Sequence, residues 1–385
     1  MKRQVLILAC LLAGIINSNA QIQTAILEQD NTLKTFYGEN AFKEAYEAAY
    51  NGAVITLSTG SFYTVEKIAK SITIIGQGWS GNNQTIILDG NKDNGRSTSN
   101  EGVYYSLAIE ANNVRLEGLF LYRLYVGSSY NSSNGISNLQ VRNCQILEFY
   151  YNWKHYNTTI DQCSITYFYI LNSENLCIKN SRIMGFLGSS TSTAYITNCI
   201  IPGWYNYDVN DGNYSFSWQP KAIYKNCILG FLYHNYSGSG KGWYYSYNVE
   251  TIYHEGGNHY NNVLYLNPCR YTRPTDRSTS FNSEYVSAGD SICRCTPGLS
   301  SSYNSEGRDN ISMSYNALFN QSKSWTDSTY IKADIKGDDG KPVGVFGGSG
   351  FSLYPNIPRI VESKIDSNTD EEGKLNVKVK VEINK

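Results

Sequence analysis

Apolar positions recur at a regular spacing between Leu139 and Leu232, in five consecutive segments of similar pattern. Each segment has a small central residue, and successive central residues lie 19, 18, 18 and 28 positions apart. Apolar residues stand three positions before, two after and five after almost every central residue. The central residues are Cys144, Cys163, Ser181, Cys199 and Cys227. This repeat predicts short coils stacked in register, with the same columns turned inward in every coil.

A second column predicts where each coil bends. The residue before the central one is Asn143, Gln162, Asn180, Asn198 and Asn226. Asn tolerates the left-handed backbone conformation that a tight bend demands. Amides stacked at one bend can also hydrogen-bond from coil to coil, as in other stacked parallel strands. The column therefore predicts an amide ladder along one bend.

Short coils with three brief strands, one Asn bend and aliphatic columns resemble the right-handed parallel β-helix, the fold of the pectate-lyase-like superfamily. The resemblance covers roughly residues 40 to 319. A leucine-rich repeat would need a Leu-x-x-Leu-x-Leu signature, which is absent. The segment from Gly337 to Gly348 resembles the closing segment of secreted bacterial β-helix repeat proteins of unassigned function, and its glycines indicate tight turns rather than a binding site. The predicted fold class is all-β, a right-handed parallel β-helix (solenoid) with an N-terminal capping helix and a C-terminal β-hairpin extension.

The chain divides into four predicted parts. Residues 1–20 are a signal peptide, with Lys2 and Arg3 before an apolar core and a small-residue cleavage site ending at Ala20. Residues 21–53 are a loose polar lead-in and a capping helix with Asn40 as its N-cap. Residues 54–350 are the β-helix, and 351–385 are a linker and a polar hairpin. We expect a secreted, periplasmic or cell-surface protein without a membrane span.

Net charge limits the expected partners, and the positions of the cysteines limit the expected disulfides and metal sites. The net charge of −1 does not favour nucleic acid or anionic membranes. Nine cysteines in an exported chain would normally indicate disulfides. Four of them occupy the central column, which favours buried free thiols. No Cys-x-x-Cys pair exists, and we predict no metal or cofactor. The states of Cys269, Cys293 and Cys295 stay open.

Tyrosine is the most informative aromatic residue, with 33 copies against 13 of Phe. Six positions after the central residues stand Tyr150, Tyr169, Leu187, Tyr205 and Tyr233. Coils about 4.8 Å apart would turn this column into a row along the solenoid. The row, with Trp218 and Trp243 in nearby loops, is a candidate stacking surface for sugar rings. The alternative is that Tyr simply suits an exposed strand face.

Signals for catalysis are weaker. The resemblance implies rows of Asp or Glu for calcium-dependent lyases, but Glu148 aligns with Tyr167, Gly185, Gly203 and Phe231. It implies Asp pairs with Gly-His-Gly and Arg-Ile-Lys segments for hydrolases, but Arg182-Ile183 precedes Met184 and Gly-His-Gly is absent. The remaining candidate catalytic residues are Asp208, Asp211, His234 and His254.

The sequence favours an exported protein that binds a polysaccharide or cell-surface glycan along the Tyr column and the aromatic loops. One alternative is a polysaccharide lyase or glycoside hydrolase with its site in the 205–260 loops. Another is a structural or adhesin-like surface protein. The sequence leaves open the identity of the glycan, the oligomeric state, and the placement of residues 270–308 and of the C-terminal hairpin.

Overall fold

The structure is a computed structural model. It describes residues 23–81, 84–88, 106–127, 135–151, 154–170, 173–188, 193–201, 221–232, 257–260, 263–267, 307–308, 311–313, 318–320, 322–332, 334–356, 359–369 and 375–382. This part of the chain is all-β apart from the helix α1, Ala41–Ala48.

The strands are short and most have three to seven residues. In chain order they are β1 Thr24–Gln29, β2 Thr32–Tyr37, β3 Val54–Leu57, β4 Gly60–Tyr63, β5 Thr73–Ile75, β6 Thr85–Leu88, β7 Ser106–Ile109, β8 Arg115–Glu117, β9 Phe120–Val126, β10 Ile136–Ser137, β11 Gln140–Arg142, β12 Gln145–Tyr151, β13 His155–Tyr156, β14 Thr159–Asp161, β15 Ser164–Ile170, β16 Ser173–Glu174, β17 Leu176–Lys179, β18 Arg182–Gly188, β19 Thr193–Thr197, β20 Ile200–Ile201, β21 Lys221–Lys225, β22 Ile228–Leu232, β23 Gly257–Tyr260, β24 Val263–Asn267, β25 Gly307–Arg308, β26 Ile311–Met313, β27 Arg359–Thr369 and β28 Leu375–Glu382.

Two long sheets run through the molecule. Sheet one has the order β2-β1-β3-β5-β8-β11-β14-β17-β19-β21-β23-β25, and sheet two has the order β4-β6-β9-β12-β15-β18-β20-β22-β24-β26, with β7 beside β9. A short third sheet, β10-β13-β16, joins three central coils. From β3 onward neighbouring strands of both long sheets pair in parallel, and each coil adds a strand to each sheet. This architecture is consistent with a β-helix solenoid.

The predicted inward columns form the core. Val141, Ile146 and Phe149 are fully or almost fully buried, and their counterparts in the next coil, Ile160, Ile165 and Phe168, are buried as well. Parallel pairing places like residues directly above one another, for example Phe149 beside Phe168. Burial of each such side chain stabilises the fold by about 1.5–3 kcal/mol. The hydrophobic periodicity therefore accounts for the stacking.

The N-terminal lead-in was predicted wrongly as a loose segment. It forms a hairpin, in which β1 pairs antiparallel with β2 on one side and with β3 on the other. The residues from Thr24 to Leu27 are all buried, so β1 is a central strand rather than a polar tail. Helix α1 packs Phe42 and Tyr46 into the same core. Asn40 stands at its N-cap, but its side chain makes no capping hydrogen bond within the described chain.

The predicted Asn bend is present, and a second one accompanies it. Asn143, Gln162, Asn180, Asn198 and Asn226 all have a positive φ of 46–55°. We call this column the covered bend. A further column, Asn113, Asn138, Asn157 and Asn175, has a φ of 55–58°. We call it the exposed bend, because the hydrogen-bonded amides of its residues are accessible to solvent.

The central column beside the covered bend is buried, and its four cysteines are free thiols, as predicted. The column also forms hydrogen bonds. Ser181 Oγ donates to the Lys179 carbonyl at 2.7 Å and accepts the Cys163 N–H at 3.0 Å. Cys227 Sγ donates to the Lys225 carbonyl at 3.2 Å and accepts the Cys199 N–H at 3.4 Å. A small side chain with one donor and one acceptor therefore suits the positions of Ser181 and Cys227.

The C-terminal segment covers the predicted amide ladder. Residues 334–356, which we call the strap, run along the covered bend. Asn226 Nδ2 donates to Asp338 Oδ1 at 2.8 Å, Asn180 Nδ2 to the Val345 carbonyl at 3.0 Å, and Asn143 Nδ2 to the Ser352 carbonyl at 2.7 Å. The coil-to-coil ladder keeps one of its predicted bonds in the described chain, from Asn143 to Gln162 at 2.9 Å.

The glycines of the strap allow both its tight turns and its close approach to the side chains of the covered bend. A Cβ on Gly347 would lie 2.4 Å from Asn198 Nδ2, and a Cβ on Gly337 would lie 2.5 Å from Asn226 Cγ. A separate apolar cluster joins the strap to the outer side of sheet two through Ile200, Ile228 and Val345. Residues 351–356, predicted as a linker, continue the strap. The predicted hairpin beyond it forms from β27 and β28, which pair antiparallel.

Candidate functional site

The Tyr column extends along sheet two as a stack of rings. Tyr150 pairs in register with Tyr125 of the preceding coil and with Tyr169 of the following coil. The ring centroids of Tyr125 and Tyr150 are 5.1 Å apart at 13°, and those of Tyr150 and Tyr169 are 4.5 Å apart at 5°. We call these three residues the Tyr row. The next position of the column is Leu187, which pairs with Tyr169.

Sequence reasoning missed Tyr125, although the signal was present. Tyr125 stands six positions after Leu119, as Tyr150 stands six after Cys144. Leu119 is fully buried and occupies the central-column position of the preceding coil. The extra coil therefore lengthens the row by one ring.

An ion pair lies beside the row. Arg123 pairs in register with Glu148, and its Nε donates to Glu148 Oε2. The Tyr150 hydroxyl donates to the same carboxylate oxygen at 3.2 Å. Tyr167 is the next residue of this second column and pairs with Glu148. Arg123 and the Tyr150 hydroxyl therefore hold the carboxylate of Glu148 in place.

The electrostatics of this face keep Arg123 charged and the phenols of Tyr150 and Tyr167 neutral. Burial and the charge of Glu148 raise the pKa of Tyr150. Burial is also the main cause of the raised pKa of Tyr167. Burial opposes the charge of Arg123, but the hydrogen bond and charge of Glu148 outweigh it and raise the pKa of Arg123. At neutral pH the phenols of Tyr150 and Tyr167 therefore stay protonated, and the Tyr150 hydroxyl donates its hydrogen bond to Glu148.

Ring stacking changes the contact that this face offers a ligand. Both faces of the Tyr150 ring are occupied by neighbouring rings, so its edge and hydroxyl remain for a ligand. A sugar ring therefore cannot stack on either face of Tyr150. Along its length the row is a line of hydrogen-bonding groups rather than a flat aromatic platform.

Sheet one carries a different outward column, made of alternating charges. Glu117, Arg142, Asp161 and Lys179 follow one another in register. Asp161 Oδ2 lies 3.6 Å from Arg142 Nε and 3.5 Å from Lys179 Nζ. Burial raises the pKa of Asp161 against the opposing effect of both cations. This alternation neutralises the column and indicates a structural role. Within the described residues, no group of three His, Cys, Asp or Glu side chains is placed to hold a metal ion.

The structure describes the positions of only some predicted site residues. Tyr150 and Tyr169 lie side by side, and the alignment of Glu148 with Tyr167, and of Tyr167 with Gly185, agrees with the register. The other candidates lie outside the described residues: Tyr205, Tyr233, Trp218, Trp243, Asp208, Asp211, His234 and His254. Their roles stay predictions.

No family model, no curated protein and no solved structure matches this chain. The geometry of the described residues is therefore the basis for a functional proposal. In that part of the chain, no helix has the length and apolar character to cross a membrane.

Proposed function

We propose that this chain is an exported β-helix protein of the pectate-lyase-like fold that binds a polysaccharide or cell-surface glycan along the Tyr row. The observation that carries the proposal is the stack of Tyr125, Tyr150 and Tyr169, with Glu148 and Arg123 held beside it. The signal peptide predicted from residues 1–20 supports export to a compartment where such glycans occur.

The row is suited to an extended polymer with many hydroxyls. Its rings repeat every 4.5–5.1 Å along the coil-stacking direction, so a chain lying in that direction meets successive hydroxyl groups. Sugar hydroxyls both donate and accept hydrogen bonds, and the phenol oxygens and the carboxylate of this face can accept them. Tyr side chains already held by stacking lose little conformational freedom when a ligand binds.

The same geometry favours binding over catalysis at this face. Glu148 is engaged by Arg123 and by the Tyr150 hydroxyl, so its carboxylate is already bound by protein groups. Among the described residues of the row, no second carboxylate stands beside it as a partner for acid–base cleavage. A lyase or hydrolase activity would have to come from the 205–260 loops.

The test is affinity electrophoresis of the mature protein in gels that contain neutral or acidic polysaccharides. We expect retarded migration in at least one gel. Tyr150→Phe keeps the ring stack and removes one hydroxyl, which should weaken binding about 2- to 10-fold, the equivalent of one hydrogen bond. Tyr195→Phe is the matched control, because Tyr195 lies on sheet one and is 51 % exposed.

Two outcomes would contradict the proposal. Unretarded migration of the wild-type protein across the whole panel is the first, and equal effects of Tyr150→Phe and Tyr195→Phe are the second. The same panel should be assayed for unsaturated or reducing-end products. Product formation would support an enzyme whose site lies in the 205–260 loops.

A further inference from the structure

One buried corner of the solenoid contains polar side chains without partners. His155 begins β13, and its side chain is 1 % exposed. Neither Nδ1 nor Nε2 of its imidazole has a hydrogen-bond partner in the described structure. A neutral imidazole carries one donor and one acceptor, so both capacities of this ring are unmet.

Two hydroxyl groups share the corner. The Tyr151 ring packs against His155, with ring centroids 4.0 Å apart, and its side chain is 1 % exposed. Within the described chain, neither the Tyr151 hydroxyl nor Thr158 Oγ1 has a partner in hydrogen-bond geometry. Thr158 is nonetheless close enough to Tyr151 to lower its pKa against the larger effect of burial, which raises it. The Tyr151 ring thus contacts the imidazole on one hand, and Thr158 lies close to Tyr151 on the other.

Aromatic rings line another side of Tyr151. Tyr151 also packs against Phe149 and Phe168, with ring centroids 4.8 and 5.7 Å away. Each buried polar group left unsatisfied costs about 1–3 kcal/mol. Four such atoms would together remove a large part of the stability of an ordinary domain, which is about 5–15 kcal/mol. Native interiors avoid that cost with ordered water.

The chemistry of the corner selects its occupant. The groups are a neutral ring and two hydroxyls, so the occupant must be small, uncharged and able both to donate and to accept. Burial lowers the pKa of His155 to about 3, which keeps the ring neutral at physiological pH. Water meets each requirement, and a buried water typically makes about three hydrogen bonds.

We propose that the corner bounded by Tyr151, His155 and Thr158 is a binding site for one ordered water molecule. The water bridges an imidazole nitrogen to at least one of the two hydroxyls. It completes the hydrogen bonding of the turn between β12 and β14, immediately beside Tyr150 of the Tyr row. The inference is independent of glycan binding.

The direct test is a high-resolution crystal structure of the mature protein. We expect an ordered water about 2.7–3.2 Å from an imidazole nitrogen of His155 and from Tyr151 Oη or Thr158 Oγ1. An imidazole bonded to protein groups instead, or a corner without solvent density, would overturn the proposal.

Hydroxyl-radical footprinting in solution gives a second test. Radiolysis generates radicals from bound water, so Tyr151 should be oxidised several-fold faster than Phe149, after correction for the reactivities of free Tyr and Phe. Phe149 is the matched control, because it is an equally buried ring in contact with Tyr151. His155→Leu should lower the rate at Tyr151 to that of Phe149. Equal rates in the wild-type protein would show a dry corner.

Discussion

The covered bend, with four Asn and one Gln, and the all-Asn exposed bend share one backbone conformation, but their side chains bond differently. At the exposed bend the amides bond to one another: Asn138 Nδ2 donates to Asn113 Oδ1 at 2.8 Å, and Asn175 Nδ2 donates to Asn157 Oδ1 at 3.1 Å. At the covered bend most of these bonds go to the strap instead. Asn180 donates to the carbonyls of Val345 and Gly347.

The comparison separates two reasons for an Asn in a solenoid. The positive φ selects Asn at both bends, because few other residues adopt that conformation at low cost. What the amide then contributes depends on its surroundings. Water competes for the amides of the exposed bend, so their net stabilisation is small, whereas a lost partner at the covered bend leaves buried strap carbonyls unsatisfied. The covered column is thus a docking surface for the chain's own C-terminal segment.

The largest expected effect comes from replacing one Asn at each bend. Asn175 and Asn180 flank the same strand, β17, with φ of 58° and 46°. Leu at either position costs about 1–2 kcal/mol of backbone strain. Asn180→Leu also leaves the Val345 and Gly347 carbonyls without a hydrogen-bond donor, which costs about 1–3 kcal/mol of stability for each carbonyl. Denaturant titration should therefore show a loss of at least about 3 kcal/mol for Asn180→Leu against about 1–2 kcal/mol for Asn175→Leu.

Glycine at the same two positions provides the control. Gly adopts a positive φ without strain, so Asn175→Gly should change stability by only a few tenths of a kcal/mol. Asn180→Gly should keep most of the loss, because the strap bonds are still missing. Equal losses for the two Gly variants would mean that the strap contributes nothing through Asn180.

The contrast between the bends also shows how far the sequence could predict this fold. The column Asn143, Gln162, Asn180, Asn198 and Asn226 was predicted with its conformation, because it adjoins the most regular apolar column. The exposed bend was missed, although Asn138, Asn157 and Asn175 each stand six positions before a central residue. The strap contacts could not be predicted, since they join residues 112 to 209 positions apart.

A smaller signal did mark where the strap docks. The first position of sheet two is Gln145, Ser164 and Arg182 in three coils, and then becomes Ile200 and Ile228. Both isoleucines are buried and belong to the same apolar cluster as Val345 of the strap. An apolar residue at an outward position therefore indicated a covering segment. Side-chain packing within the Tyr row, by contrast, depends on ring orientations that periodicity does not encode.

Acid is expected to destabilise the buried corner around His155, next to the exposed bend, before it destabilises the strap. The pKa of His155 is about 3 in the native state, because burial disfavours its charge, and 6.5 in the unfolded state. The stability from this group is fully present above pH 6.5 and is lost as the pH falls toward 3. Between pH 7.5 and 5 the loss should be about 2 kcal/mol.

Chemical denaturation across this range, with His155→Phe as the control, measures the effect. The variant should lose the pH dependence that His155 causes, whatever its absolute stability. Hydrogen exchange should show the amide of Asn157 opening before that of Gly344 in the strap. The strap carries Asp338, whose pKa is lowered by hydrogen bonds from Lys225 and Asn226, so its contribution persists until the pH falls below about 3.8. An unchanged pH profile in the variant would contradict this assignment.

The smallest expected change in stability concerns the residue that directly follows each bend Asn. At the exposed bend these include Leu139 and Leu176, whereas at the covered bend they are Cys or Ser with a donor and an acceptor. Cys227→Ser should cost less than about 1 kcal/mol, because Ser181 already performs the same two bonds in this column. Cys227→Ala should cost about 1–2 kcal/mol more than Cys227→Ser, since the Cys199 N–H would lose its acceptor. Thermal and denaturant midpoints of the two variants measure the difference. If the Ala and Ser variants were equally stable, only the small size of the cysteines would matter at these positions. Hydrogen bonding would then not distinguish the central column from the residues that follow the exposed bend.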